Sequence, residues 1–338
     1  MFKGQMLSVL LLSCLCQLSV AKTWVIESQH EVENVFKNVQ DFDSITVKQG
    51  HYLGPWHITQ SITINAEKSA VLDGQGLGHA LQISANNVEV NGLSIINWGD
   101  DIGELHSGVF VNKAADNVSL NALQLKGAAF GIWVDAAPNV TITNCKIEGD
   151  LSVRSQDRGN GIHLFNVQKA RVEGNEVWHS RDGIYIDTSN HNQLISNYLH
   201  DLRYGVHYMY SHHNQLLKNI TERTRTGYAL MQSHHLDVQN NASINDFNYG
   251  ILMNYITYST ISHNNISHVR QGRNPNTNMA VGETIAGADG KAIFIYNSMF
   301  NTLSFNRFSQ SDLAVHLTGG STNNKIYGNA FVGNRNQV

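Results

Sequence analysis

Cysteine is almost missing from this chain, with three in 338 residues, and two of those, Cys14 and Cys16, fall before Ala21. Only Cys145 remains beyond that point, so there is no disulfide framework and the fold must rest on a packed core. Proline is equally scarce, at three residues against 28 glycines, which argues against linkers between domains. Charged residues make up 15 % and the formal net charge is −4, so nothing points to a nucleic-acid surface. No apolar run beyond the N-terminus is long enough to span a membrane. Amphipathic windows of helical repeats are absent too. Acidic clusters of the kind that hold Ca²⁺ do not occur in the regular part of the chain.

What the chain does have is a period. Short apolar stretches follow a glycine at Gly161, Gly183, Gly205 and Gly227, each 22 residues after the last. They read GIHLF, GIYID, GVHYM and GYALM. Weaker copies begin at Gly108, Gly131, Gly250, Ala292 and Ala314, and Asn175, Asn197, Asn219 and Asn241 run in phase. A fixed period of this size means one supersecondary unit stacked many times. β-Branched and aromatic residues bounded by Gly, Asn and Ser make that unit a set of strands. The first and third residues after each glycine (Ile162/Leu164, Ile184/Ile186, Val206/Tyr208, Tyr228/Leu230) are apolar throughout and therefore face inward. Asn tolerates the left-handed conformation of a turn and can stack as a side-chain ladder. The expected fold is all-β, a right-handed parallel β-helix of about 22-residue coils, a rod of roughly 50 Å.

The organisation expected is a signal peptide over 1–21 and one β-helix domain over 22–338. Lys3, the apolar run Met6–Leu18 and Ser19-Val20-Ala21 carry the export signal. Leu12-Ser13-Cys14 is a weaker lipoprotein-like alternative. Longer spacings place loop insertions near 149–158 and 270–291, and the sequence stops in mid-repeat with a cap apparently missing. Five Asn-x-Ser/Thr sequons fall mostly on the asparagine columns and are read as turn residues.

Chemistry would sit on the second and fourth positions, which face outward. His207 and Met209 share a face, and Met231 is the next coil's equivalent of Met209. One imidazole with two thioethers is a soft donor set suited to Cu(I); the plainer reading is an apolar stripe under a loop or a partner. His163, Tyr185, Asp187 and Tyr210 join this face as candidate binding residues. His191, His213 and His235, with His212 and His234 beside them, form a second column that is either a metal site or a solvated turn. Arg181, Arg203 and Arg225 form a third, read either as a docking stripe or as ion pairs with Asp182, Asp201 and Glu222. A carbohydrate-active enzyme would need paired carboxylates; Asp100-Asp101 is the best pair, in an irregular early repeat, and Asp135 and Asp187 share a column two coils apart.

The run GNGIHLF, RDGIYIDTSNHN, LRYGVHYMYSHHN and GYALM, from Gly159 to Met231, resembles the NosD family, exported β-helix proteins of nitrous oxide reductase maturation. The phrase LRYGVHYMYS followed one coil later by GYALM carries most of the specificity, and the likeness extends from Trp24 to Val338. The resemblance implies a non-catalytic periplasmic partner of an ABC transporter with NosF-type ATPase and NosY-type membrane subunits, held at the inner membrane through that partner. It implies a NosL-type copper chaperone, the apo nitrous oxide reductase as client, transient copper as the only cofactor, and a role in assembling a copper–sulfur cluster. Carried over to this chain, the signature is His207, Tyr208, Met209, Tyr210 and Met231. The competing expectations are a polysaccharide lyase or uronan epimerase, and a passive surface protein.

Overall fold

The computed structural model describes residues 21–271 and 290–338. The expected signal peptide and most of the second expected insertion lie outside the described residues. The chain winds as a parallel β-helix. One sheet has 13 strands, from Thr23–Ile26 to Lys325–Tyr327; a second has 12, from Gly50–Leu53 to Ala330–Val332; a third has 11, from Trp56–Ile58 to Leu313–Thr318. All pair in parallel with the coil before and the coil after. In the regular region one coil reads Arg171–Glu173, Glu176–Trp178, then Asp182–Asp187. The glycine-led stretches are the strands of the third sheet.

The core is the stack of inward residues. Val172, Val177, Ile184 and Ile186 of one coil are all fully buried, as are Leu194, Leu199, Val206 and Tyr208 of the next. Each such side chain stabilises the rod by about 1.5–3 kcal/mol. The glycine column has a steric cause. A Cβ on Gly183 would lie 2.6 Å from the Gly205 carbonyl oxygen, and one on Gly205 would lie 2.7 Å from that of Gly227. Backbones in adjacent coils therefore approach too closely for a larger residue to enter without a shift.

The asparagines form the ladder their spacing suggests. Asn175 Nδ2 donates to Asn197 Oδ1 at 2.9 Å, Asn197 to Asn219 at 2.8 Å, and Asn219 to Asn241 at 3.0 Å. It continues through Asn264, Asn306 and Asn329. Each Oδ1 also accepts the preceding asparagine's backbone N–H, so a buried turn keeps every polar group partnered. The sequon residues Asn219 and Asn241 are sealed in this ladder. Cys145 starts the column, its N–H donating to Asn175 Oδ1 at 2.9 Å, and burial pushes its thiol up to about 12.

The strand Tyr249–Asn254 pairs directly with Lys291–Tyr296. The strand register is thus continuous across the long spacing between Gly250 and Ala292. Among the described residues two elements depart from the β pattern: a short 3-10 turn, Ser155–Asp157, inside the insertion expected at 149–158, and a helix, Gln29–Asn38, whose Ser28 and Glu31 form a capping box and whose Val32 and Val35 are buried among the first coils. The Ser-x-x-Glu spacing with Val32, Val35 and Phe36 following was its sequence signal.

Candidate functional site

The outward columns align as the period requires. Trp133, His163, Tyr185, His207 and Ala229 are register partners across successive strands of the third sheet, and so are Asp187, Met209, Met231 and Asn254. Ring centroids are 4.0 Å apart for Trp133–His163, 4.6 Å for His163–Tyr185 and 4.2 Å for Tyr185–His207. At Ala229 a methyl group replaces the ring, and the stack ends.

The expectation that this column faces solvent is corrected. His163 is 6 % exposed and His207 is 7 % exposed. The residues leading into each strand fold back over the rings. Phe130 packs edge-on against Trp133 and His163, and Tyr204 packs edge-on against His207. Tyr185 is half-buried, and burial, followed by the Asp187 charge, pushes its hydroxyl up to about 12. Tyr208 points into the core. Met209 and Met231 stay half-exposed side by side, and Tyr210 is exposed in the turn that follows. Asp187 accepts a hydrogen bond from the Thr188 hydroxyl at 2.9 Å.

His207 is held by a charge network. Arg203 forks onto the buried Asp182 carboxylate through Nε at 2.8 Å and Nη2 at 2.6 Å, and His207 Nδ1 lies 3.0 Å from the same carboxylate. Burial raises the Asp182 pKa, but Arg203 and then His207 outweigh it and hold the carboxyl well below its ordinary range. His207 Nδ1 thus faces this carboxylate, and its buried Nε2 has no hydrogen-bond partner. A carboxylate fixing one ring nitrogen while the other is free is how ligating histidines are oriented. Met209 lies on the same strand face as His207, and Met231 is its register partner in the next coil. His163 is arranged differently: Nδ1 meets the Asn160 amide at 3.1 Å, and burial lowers its pKa to about 3, so it stays neutral.

The arginine column is divided. Arg203 takes Asp182. Asp201 and Glu222 are bound by Arg223, a residue outside the column, with Arg223 forking onto Asp201 at 3.1 and 2.8 Å. Arg225 lies 5.9 Å from the Tyr204 ring centre, and the Nε of Arg181 has no hydrogen-bond partner. Three ion pairs along one arginine edge are thus not what forms.

The histidines occupy the turn after the third-sheet strands. His191, His213 and His235 sit at successive left-handed positions with φ of 60, 57 and 54°. Their rings stack at 5.0 Å (His191–His213) and 4.8 Å (His213–His235), while His212 and His234 stack at 3.7 Å. Burial, and then the neighbouring imidazoles, lowers the pKa values of His212, His213 and His234, which favours neutral rings. Among the described residues, His213, His234 and His235 are the histidines whose ligand atoms converge; His191 stands outside that group.

The carboxylates favoured for carbohydrate chemistry serve a turn and line a separate cleft. Asp101 Oδ1 accepts the N–H groups of Gly103 and Glu104, at 2.8 and 3.1 Å, as a turn cap. Asp100 lines an open cleft of about 620 Å³ with Trp98, Lys126 and Asp150.

Residues 144–338 match the family described as "Periplasmic copper-binding protein (NosD)". A Pseudomonas aeruginosa protein named "Probable ABC transporter binding protein NosD" is 50 % identical over 290 residues, covering 86 % of this chain and 66 % of that one. Its Stutzerimonas stutzeri namesake is 51 % identical over 289 residues, covering 86 % and 65 %. The chain therefore spans just under two thirds of the length of these relatives. Among solved structures, a Yersinia enterocolitica family 28 exopolygalacturonase superposes with a TM-score of 0.62 over 93 % of this chain and 78 % of that one, at 11 % identity. At that identity the likeness is one of fold alone.

Proposed function

The chain belongs to the NosD family, and from that membership we propose that it is a non-catalytic periplasmic accessory protein in the maturation of nitrous oxide reductase. In this reading it docks on an ABC transporter of NosF/NosY type, receives copper from a NosL-type chaperone, and supports assembly of the copper–sulfur cluster in the apo-reductase. Copper is cargo, held in transit. The observation that carries the reading is the donor set beside the end of the ring stack. A buried His207 Nε2 without a partner, oriented through Nδ1 by Asp182, shares its strand face with Met209, and Met231 is the adjacent coil's register partner. Soft thioethers favour Cu(I), and two of them with one imidazole bind it without locking it in a closed cage.

His207 would supply nitrogen, Met209 and Met231 sulfur, and Tyr210 an exposed edge for the docking partner. No helix among the described residues is long and apolar enough to cross a membrane, in keeping with attachment through a partner.

The test removes the sulfurs first, because they contribute little to the core. Met209→Ala with Met231→Ala should weaken Cu(I) binding at least tenfold, or abolish capture of the copper-loaded chaperone, with the fold intact. His207→Ala should add to the loss. If Cu(I) titration and chaperone pull-down both match the unmodified protein, this face is not the copper face. Loss of the gene should leave nitrous oxide reductase accumulating without its catalytic cluster; a fully loaded reductase would sink the maturation role.

A further inference from the structure

We propose that His213, His234 and His235 form a second copper site, a three-imidazole site suited to Cu(II), on the turn beyond the methionine pair. It stands on the imidazole geometry and does not require the methionine face to bind Cu(I).

Three observations carry it. The ligand atoms of these histidines all lie within 4.8 Å of one another. A Cu(II) ion bound at about 2.0 Å in tetragonal geometry needs neighbouring nitrogens roughly 2.9 Å apart. Two of the three rings are exposed and the third is half-exposed, so their side chains have room to turn toward a common point. Next, His234 Nδ1 faces His235 Nδ1 at 2.8 Å. Two ring nitrogens that close must share one proton, and a metal ion can replace that proton and meet both lone pairs.

The last observation explains why His234 is available. In the coil before, the equivalent side chain caps the turn: Asn190 Oδ1 accepts the His212 N–H at 2.7 Å, and His212 Nδ1 accepts the His234 N–H at 3.2 Å. That pattern stops at His234. The Thr257 N–H in the next coil goes instead to the Ser233 carbonyl at 3.2 Å. His234 is thereby released from capping, and its ring stacks on that of His212 at 3.7 Å. His212, spent as a cap, belongs to the support of the site.

The donors decide the ion. Three imidazoles are borderline ligands, and among divalent first-row metals Cu(II) binds such sites most tightly. Exposure leaves a coordination position open for exchange. The three rings lie on the turns that leave the two methionine strands, so His213 follows Met209 and His235 follows Met231 after at most roughly 14 Å of extended chain. An oxidised-copper entry point next to a reduced-copper face is the arrangement this produces.

The test uses the full chain, freed of any affinity tag, with Cu(II) alone as the probe. Affinity is measured against a competing chelator, and the copper is read by electron paramagnetic resonance. The unmodified protein should bind one Cu(II) here with nitrogen hyperfine structure from more than one imidazole. His213→Ala and His235→Ala should each weaken it at least tenfold and remove that hyperfine pattern, with circular dichroism unchanged. His191→Ala, on the same stack but outside the group, should leave binding as it was. No Cu(II) bound, unchanged affinity in His213→Ala and His235→Ala, or an equal loss in His191→Ala would each overturn the three-histidine site.

Discussion

Replacing Asp182 with alanine should be among the most damaging single changes outside the apolar core. The carboxylate is fully buried and accepts three contacts, at 2.8 and 2.6 Å from Arg203 and at 3.0 Å from His207. Its removal strands a guanidinium whose side chain is only 20 % exposed, together with one buried imidazole N–H. Breaking a buried pair by deleting one partner costs about 3–5 kcal/mol. Arg203 keeps some relief, because its guanidinium lies 4.4 Å from the Tyr204 ring centre. The expected loss is therefore near the low end, about 3 kcal/mol. Urea unfolding of the variant against the unmodified protein reads it directly. Asp182→Leu combined with Arg203→Met removes both charges and should cost less than Asp182→Ala alone. The acid limb gives an independent check. The native carboxyl pKa lies below its ordinary 3.8, so this stabilisation is complete above that pH and fades as pH falls through the native value. Asp182→Ala should lack that part of the acid sensitivity. A loss under about 1 kcal/mol, or a double variant worse than the single one, would refute the argument that Asp182 neutralises a buried charge.

Two further outcomes follow from the stack. Gly205→Ala puts a Cβ 2.5 Å from Thr221 Cγ2 and 2.7 Å from the Gly227 carbonyl, so it should destabilise by about 1–3 kcal/mol in denaturant titration; a neutral result would mean the coils separate freely. Asp246 is buried, and burial outweighs its hydrogen bonds from Ser243, Thr224 and Thr221 to raise its pKa to about 6. The protonated form is thus the one the fold favours, so its contribution is full below pH 3.8 and is lost as pH rises through about 6. Relative to Asp246→Asn, the unmodified protein should lose on the order of 2 kcal/mol between pH 4 and 6, and parallel curves for the two would contradict it.

The sequence alone determined the architecture, because each coil repeats the same local chemistry. Glycine is required where two backbones meet, so Gly183, Gly205 and Gly227 mark the strands, and Asn197, Asn219 and Asn241 mark the turn between two sheets. A fixed period also fixes register, so the pairing of His207 with Tyr185 and of Met209 with Met231 could be read by counting residues. Only the tertiary structure decided which outward residues are covered. Periodicity says that His207 points away from the core, but its burial depends on Tyr204 and Arg203 folding back over it. Partner choice was beyond the sequence for the same reason. Asp182 and His207 are 25 positions apart, and Asp201 could be reached by either Arg203 or Arg223; Arg203 forks onto Asp182, and Arg223 takes Asp201. The histidine column was visible at its 22-residue spacing, yet His234 replaced His191 in the converging group. That exchange rests on one amide, Thr257 N–H, which takes a carbonyl instead of an imidazole and leaves the ring free.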